Sequence, residues 1–220
     1  MSVSKPWDWQ IVDDPYWLMP CEEVYYLAAR WREKGFHSLL DFGCGLGRHS
    51  IFFAQNGFDV SAFDLSPDGV AHLAEWAKRD GLSIDTRQAD MLNLPYPDRS
   101  FDCLFAYHVI SHTDAVGMQT ILSEIKRVLK PQGEFYITFR SKSSWPAHEK
   151  KYPRIDDYTL LHTDDGPEKD VPHFYVDLDD IFALLKEFTV LKVRHTDDCY
   201  QRNDHPHGFH YFILGGNTAE

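Results

Sequence analysis

Basic charge, paired cysteines and long apolar runs are scarce in this sequence, and each shortage removes a class of function. With 22 lysines and arginines against 34 aspartates and glutamates, the formal charge is -12, so a phosphate backbone would be repelled over most of the surface. No basic run offsets this, and nucleic acid is not an expected partner. The four cysteines, Cys21, Cys44, Cys103 and Cys199, share no paired spacing, so neither a disulfide framework nor a zinc ribbon follows from them. A reducing cytoplasm suits them best. No stretch has the apolar length of a membrane helix, and the opening Met-Ser-Val-Ser-Lys-Pro-Trp-Asp-Trp lacks a signal-like apolar core, so a soluble, unprocessed protein without membrane attachment is expected. The 220 residues suffice for one sizeable core and show no compositional break, which predicts a single domain over 1–220.

What is present is a repeating alternation of strands and helices. The first part, residues 1–37, is an aromatic arm carrying Trp7, Trp9, Tyr16 and Trp17, followed by a helix whose apolar positions Val24, Leu27, Ala28 and Trp31 recur at helical spacing up to Gly35. The core, 38–139, reads as strand (Ser38 to Phe42), glycine loop, helix, strand (Phe58 to Phe63) and a helix opened by Ser66-Pro67. A weaker strand follows near Leu82 to Gln88, then strands at Phe101 to Tyr107 and Glu134 to Phe139 flanking an amphipathic helix with Met118, Ile121, Leu122 and Ile125. Parallel neighbours need crossovers, so this order predicts a three-layer, doubly wound α/β fold with a mostly parallel sheet. Residues 140–176 hold four prolines and many charges, and are expected to be an irregular insertion on the substrate side. In 177–220 a helix precedes strands at Phe188 to Val193 and Phe209 to Leu214, whose short connection predicts antiparallel pairing.

Gly43, Gly45 and Gly47 stand between a strand and a helix, where glycines permit a sharp turn and close approach of backbone to a ligand. The pattern is Gly-x-Gly-x-Gly rather than the Gly-x-Gly-x-x-Gly of dinucleotide folds, and Asp41 precedes it. A carboxylate there would repel a pyrophosphate and suit a ligand bearing ammonium or sulfonium charge, which favours S-adenosylmethionine (SAM) over a nicotinamide dinucleotide. Asp64 ends the second strand, where an acidic side chain can accept both ribose hydroxyls. Asp90 follows the third strand with Met91 beside it, suited to an adenine amino group and ring face.

Leu-Leu-Asp-Phe-Gly-Cys-Gly-Leu-Gly-Arg at 39 to 48, Phe-Asp-Leu-Ser at 63 to 66, Ala-Asp-Met at 89 to 91, Phe-Asp-Cys-Leu-Phe-Ala at 101 to 106 and Leu-Lys-Pro-Gln-Gly-Glu at 129 to 134 together resemble the class I SAM-dependent methyltransferases. That resemblance implies a seven-stranded sheet with an antiparallel C-terminal strand. It implies that Asp41 meets the methionine ammonium directly or through water, and that Gly43 and Gly45 face the methionine and ribose. Asp64 would then hold the ribose hydroxyls, Asp90 the adenine amine, and Leu65 and Met91 the ring faces, with Ala106 and Tyr107 under the methionine portion. After the fourth strand the chain reads Ala106-Tyr107-His108-Val109-Ile110-Ser111-His112, unlike the Asn/Asp-Pro-Pro-aromatic signature of amino-group methylators of adenine or glutamine. The remainder is similar to the small-molecule type, tellurite-resistance methyltransferases among them.

Methyl transfer needs a base only if the acceptor arrives protonated. His112 after the fourth strand and His173 in the insertion are the two candidates, since imidazole titrates near neutrality. Asp204, His205, His207 and His210 with Cys199 lack a standard zinc spacing and are read as a polar loop beside the substrate mouth, so no metal site is assigned. The sequence therefore points to a methyltransferase acting on a small-molecule acceptor. A SAM-binding regulator or partner subunit without turnover is the alternative, and a nicotinamide dehydrogenase would instead bind NADH and not SAM. Acceptor identity and oligomeric state are not encoded in these motifs.

Overall fold

Leu39 and Leu40 are neighbours in β1 (Ser38–Phe42), yet they enter different cores, because successive side chains of a strand point to opposite faces. That alternation organises the chain, whose computed structural model describes residues 4–199 and 207–218. On the first face α4 (Ala115–Val128) lays Met118, Ile121, Leu122 and Ile125 against Leu40, Phe42, Leu104 and Ile137, joined by Ile181 of α5 (Leu178–Leu184). On the second, Val24, Leu27 and Trp31 of α1 (Glu23–Glu33) and Phe53 of α2 (Arg48–Gln55) cover Leu39, Cys103, Phe105 and Tyr136. Leu73 and Ala77 of α3 (Pro67–Arg79) close on Ile51 and Ala62 in a smaller cluster. Helices on both faces of a sheet make the expected three layers.

The strands follow the expected winding. β2 (Asp59–Asp64), β3 (Ile84–Gln88), β4 (Phe101–Ala106) and β5 (Leu129–Ser141) lie parallel with β1 in the order β3-β2-β1-β4-β5. β9 (His207–Asn217) runs antiparallel along β5 from Glu134↔Gly216 to Arg140↔His210, and β8 (Phe188–Cys199) pairs antiparallel with β9. The seven strands foreseen are thus present with the antiparallel C-terminal strand inside the edge. The reversal of winding between β1 and β4 places the loops after β1, β2, β3 and β4 at one end of the sheet, where open α/β folds bind ligands.

Two further strands correct the reading of 140–176 as irregular. β6 (Thr159–His162) and β7 (Val171–Val176) form an antiparallel hairpin, and Arg140 and Ser141 at the end of β5 pair in parallel with Tyr175 and Val176, giving nine strands among the described residues. Pro172 hid β7, since proline is a poor strand residue, and every residue of β7 is buried, so the sequence shows no alternation there. Lys130-Pro131-Gln132-Gly133, ahead of the strand expected from Glu134, also lies inside β5, as an irregularity opposite Phe101 and Cys103 with Gln132 at φ 64°. Ser66 does occupy the N-cap position of α3, but its side chain makes no capping hydrogen bond; its backbone N–H donates to Asp64 instead.

The aromatic arm forms two 3-10 turns, Trp9–Ile11 and Pro15–Leu18, each started by an aspartate (Asp8, Asp14) accepting from the backbone two residues on. No helix among the described residues is long and apolar enough to cross a membrane.

Candidate cofactor and acceptor site

At the carboxyl end of the parallel strands lies a cavity of about 520 Å³ whose wall combines the glycine loop, the ends of β2 and β3, the aromatic arm and the insertion. The loop after β1 shows why its glycines matter. Gly43 and Gly45 have φ of 70° and 54°, the left-handed region where a β-carbon is strained. A β-carbon on Gly43 would stand 2.3 Å from Val109 Cγ2, and one on Gly45 2.6 Å from the Trp9 ring. Both glycines line the cavity. Gly47, expected with them, does not: it starts α2, and a β-carbon there would meet Leu73 Cδ1 at 2.5 Å. The third glycine serves helix packing.

The carboxylates at the strand ends converge on the same cavity. Asp64 accepts from Gly45 N through Oδ2 and from Ser66 N through Oδ1, both at 2.8 Å, and burial pushes its carboxyl up against these two stabilising bonds. Each oxygen keeps a second lone pair for a ligand hydroxyl. Asp90 Oδ1 accepts from Leu92 N and from Ser4 Oγ, each at 2.9 Å, and Leu65, Met91 and Tyr107 complete this part of the lining.

Two expected residues lie elsewhere. Asp41 is outside the lining and only 2% exposed; its Oδ2 accepts from Ser50 Oγ at 2.5 Å, which ties β1 to α2 behind the loop. Burial, with the nearby Asp64 charge adding to it and Ser50 opposing, raises its carboxyl to about 7. Ala106 is fully buried in the core and also outside the lining, because β4 turns its next residue, Tyr107, toward the cavity.

The arm roofs this half of the cavity. Trp7, Trp9 and Trp17 pack with ring centroids 5.0–5.5 Å apart. Arg48, which sequence reasoning passed over, anchors them: its Nη1 donates to the carbonyls of Tyr16 and Met19 at 2.8 and 3.2 Å, and its guanidinium lies 4.7 Å from the Tyr16 ring and 5.1 Å from Trp17. Trp7 and Trp9 hold their indole N–H groups buried and unpaired at the cavity wall.

The other half is built around Glu168. Arg140 Nη2 lies 2.6 Å from Glu168 Oε1, and His112, His162 and His173 each place a ring nitrogen 3.4–3.7 Å from its oxygens. Burial pushes Glu168 up, but the Arg140 charge and the surrounding imidazoles outweigh it and hold the carboxyl well below its usual range. His112 lines the cavity and stacks at 6.0 Å on Trp7, with burial lowering its basicity so that it stays neutral. His173 is fully buried beneath it, 4.9 Å from the His112 ring and 3.7 Å from His162, and is not on the wall. Of the two candidate bases only His112 can reach a ligand directly. Arg140, His162 and Glu168 were missed as individuals, although the stretch 140–176 that supplies all three was singled out.

Of the C-terminal group, the described members His207 and His210 face separate aspartates. His207 Nδ1 faces Asp197 Oδ2 at 2.7 Å and His210 Nδ1 faces Asp198 Oδ2 at 3.5 Å, while His210 lines the cavity and packs on His108. Asp204 and His205, and the Cys199 side chain, lie outside the described residues.

Residues 39–133, the stretch that supplies the glycine loop, Asp64 and Asp90, match a family model described as a methyltransferase domain. The uncharacterized methyltransferase YodH of Bacillus subtilis is 30% identical over 152 residues, covering 68% of this chain and 64% of that protein. Sterol 24-C-methyltransferase ERG6B of Gibberella zeae is 34% identical over 118 residues, covering 51% of this chain and 30% of its own length. The chain thus spans 30 to 64% of the length of these relatives. Among solved structures, 1,6-didemethyltoxoflavin-N1-methyltransferase of Burkholderia thailandensis, with its substrate and S-adenosylhomocysteine bound, superposes with a TM-score of 0.63 at 19% identity, over 90% of this chain and 79% of that one.

Proposed function

We propose, from the premise that residues 39–133 of this chain are a methyltransferase domain of the class I, SAM-dependent kind, that the protein transfers a methyl group from SAM to a small-molecule acceptor. The observation that supports this most is the convergence on one cavity of Gly43, Gly45, Asp64, Leu65, Asp90 and Met91, which come from the ends of three successive strands. These residues fit the cofactor. The two glycines put bare backbone on the cavity wall beside Val109 and Trp9, where it can approach the methionine and ribose, Asp64 offers lone pairs to ribose hydroxyls, and Asp90 can accept from the adenine amine between Leu65 and Met91.

SAM brings a methyl carbon already activated by sulfonium, so the protein's task is alignment and exclusion of water. The tryptophan roof excludes water over the cofactor half. Tyr107 and His108 face the boundary between the halves, and Arg140, His112 and Glu168 give the acceptor half its polarity. Neutral His112 can accept a proton from an acceptor that carries one. The acceptor is read as a small molecule because the cavity is a pocket of ordinary ligand size rather than a groove. The net charge of -12 argues against nucleic acid, and the free thiols of Cys21, Cys44 and Cys103 support a cytoplasmic setting.

Calorimetric titration with SAM and with NADH, followed by measurement of S-adenosylhomocysteine formed with a diverse acceptor panel, tests the reading. SAM binding with turnover on at least one acceptor is expected. Tight SAM binding without turnover across the panel would favour a regulator or partner subunit, and binding of NADH alone would overturn the cofactor assignment.

A further inference from the structure

We infer that His112, Glu168 and His173 form a three-ligand site for one divalent transition-metal cation, opening into the acceptor half of the cavity. One ring nitrogen each of His112 and His173 and one Glu168 carboxylate oxygen all lie within 4.8 Å of one another, although the residues come from the turn after β4, the turn before β7 and β7 itself. Atoms sharing an ion are about 3–3.5 Å apart when metal–ligand bonds are about 2.0–2.2 Å. His173 Nε2 to Glu168 Oε2 is 3.4 Å, already at that spacing, and His112 Nε2 lies 3.7 Å from the other oxygen, Oε1, so a rotation of His112 toward Oε2 is what closes the set.

His173 supplies the second, independent observation. It is fully buried, and its Nε2 has no hydrogen-bond partner, a costly state for a polar atom in a core. Its Nδ1 donates to the Val171 carbonyl at 2.9 Å, so in the neutral ring the lone pair sits on Nε2, which faces Glu168 Oε2 at 3.4 Å. A lone pair facing a carboxylate is unfavourable as it stands and becomes favourable with a cation between them. A ring locked by a backbone carbonyl through one nitrogen while the other ligates is how metal-binding histidines are oriented. Glu168 is divided in the same way, since Arg140 holds Oε1 at 2.6 Å and leaves Oε2 toward His173.

Two imidazoles and one carboxylate select a borderline cation such as Zn²⁺, Fe²⁺, Co²⁺ or Mn²⁺ over Mg²⁺ or Ca²⁺, which prefer all-oxygen sets. Three protein ligands leave coordination positions free, and His112 and Glu168 face the cavity. An oxygen or nitrogen of the acceptor would occupy them, and that step alone rests on the methyltransferase reading.

The test uses untagged full-length protein stripped with chelator and titrated with Co²⁺, whose visible d–d bands report ligation. One equivalent bound per chain is expected, displaced by Zn²⁺, with affinity at least 100-fold weaker in both Glu168→Gln and His112→Ala and unchanged in His207→Ala. His173→Gln should behave like these two if it folds, and the cavity-wall His112→Ala carries the test if it does not. Absence of the bands in the parent protein, their persistence in both Glu168→Gln and His112→Ala, or their loss in His207→Ala overturns the site. SAM binding, measured in parallel without metal, separates the two readings: Co²⁺ ligation without SAM binding leaves the metal site standing and removes the methyltransferase, and the converse result does the opposite.

Discussion

The indole of Trp9 lies so close over Gly45 that a β-carbon on the glycine would stand 2.6 Å from Cζ2, with Gly45 O also 2.8 Å from a β-carbon placed on Gly69. Loop, roof and the start of α3 therefore meet where the cofactor's ribose is expected. Gly47, two residues on, is equally tight but against Leu73 of α3. Gly45→Ala should weaken SAM binding at least tenfold, whereas Gly47→Ala should lower the melting temperature and leave the SAM dissociation constant of the folded protein within about threefold. Both positions have positive φ, so each costs about 1–2 kcal/mol in backbone strain, and the difference must show in binding. Equal losses of SAM affinity would show that the two glycines are not divided in this way.

Arg48 latches the arm through two carbonyls and two aromatic faces, and it is nearly buried. Hydrogen bonds from a charged donor contribute about 1.5–3 kcal/mol, so Arg48→Gln should raise the population with a detached arm about 10- to 100-fold. Limited chymotrypsin digestion reads this directly, because Trp7, Trp9 and Trp17 are cleavage sites half-buried in the closed arm, whereas Tyr16 is already exposed. Faster cleavage in the variant, slowed again by SAM, is expected; cleavage at the parental rate would mean that the arm is held by its tryptophan packing alone.

The parts legible in the sequence were those fixed by local spacing. Gly43, Gly45 and Asp90 follow strands within three residues and Asp64 ends one, and the strand order alone carries them to one end of the sheet. The Glu168 group was not legible, since His112 and His173 are brought together by the pairing of β7 with the end of β5, and Pro172 conceals β7. Asp41 was misplaced for a different reason. Sequence spacing says that it ends β1, but only the fold shows that Ser50 occupies its carboxylate behind the loop. The metal-like pattern visible by eye, at the C-terminal histidines, draws attention through proximity in sequence, but its described members His207 and His210 face separate aspartates, Asp197 and Asp198.

Glu134 is 2% exposed and accepts from Arg30 Nε and Nη2 at 2.8 and 2.7 Å and from Trp31 Nε1 at 3.0 Å, with Lys34 Nζ also at 2.7 Å, so α1 is fastened to β5 by one carboxylate. Removing one partner of a buried pair costs about 3–5 kcal/mol, but Arg30 and Lys34 can turn to water, which reduces the expected loss for Glu134→Ala to about 2 kcal/mol. For a domain of this size that is a fall of about 4–8 °C in melting temperature, with SAM affinity of the folded variant unchanged. Burial raises the Glu134 carboxyl, but the hydrogen bonds from Arg30 and Lys34 prevail and depress it, so its contribution is present above the ordinary carboxylate range and is lost as pH falls through the depressed value. The gap between parent and variant should narrow below about pH 4. A gap that stays constant into acid would remove the ionic part of this account.

Asp41 should act on stability with the opposite sign. Its folded-state carboxyl titrates at about 7 against 3.8 in an unexposed-to-fold reference, chiefly because burial disfavours the charged form. The folded chain therefore holds this proton more tightly than the unfolded chain does. The resulting stability is fully present below about pH 4 and is lost as pH rises to about 7, an effect of at most about 4 kcal/mol. Asp41→Asn cannot titrate and keeps an oxygen to accept from Ser50 Oγ. The variant should thus gain on the parent between pH 5 and pH 8, with the stability difference measured by urea unfolding at each pH moving in its favour by roughly 1–3 kcal/mol. Parallel pH profiles for the two proteins would mean that Asp41 is already ionised at pH 5 in the fold, with Ser50 and the loop amides stabilising its charge more than burial opposes it.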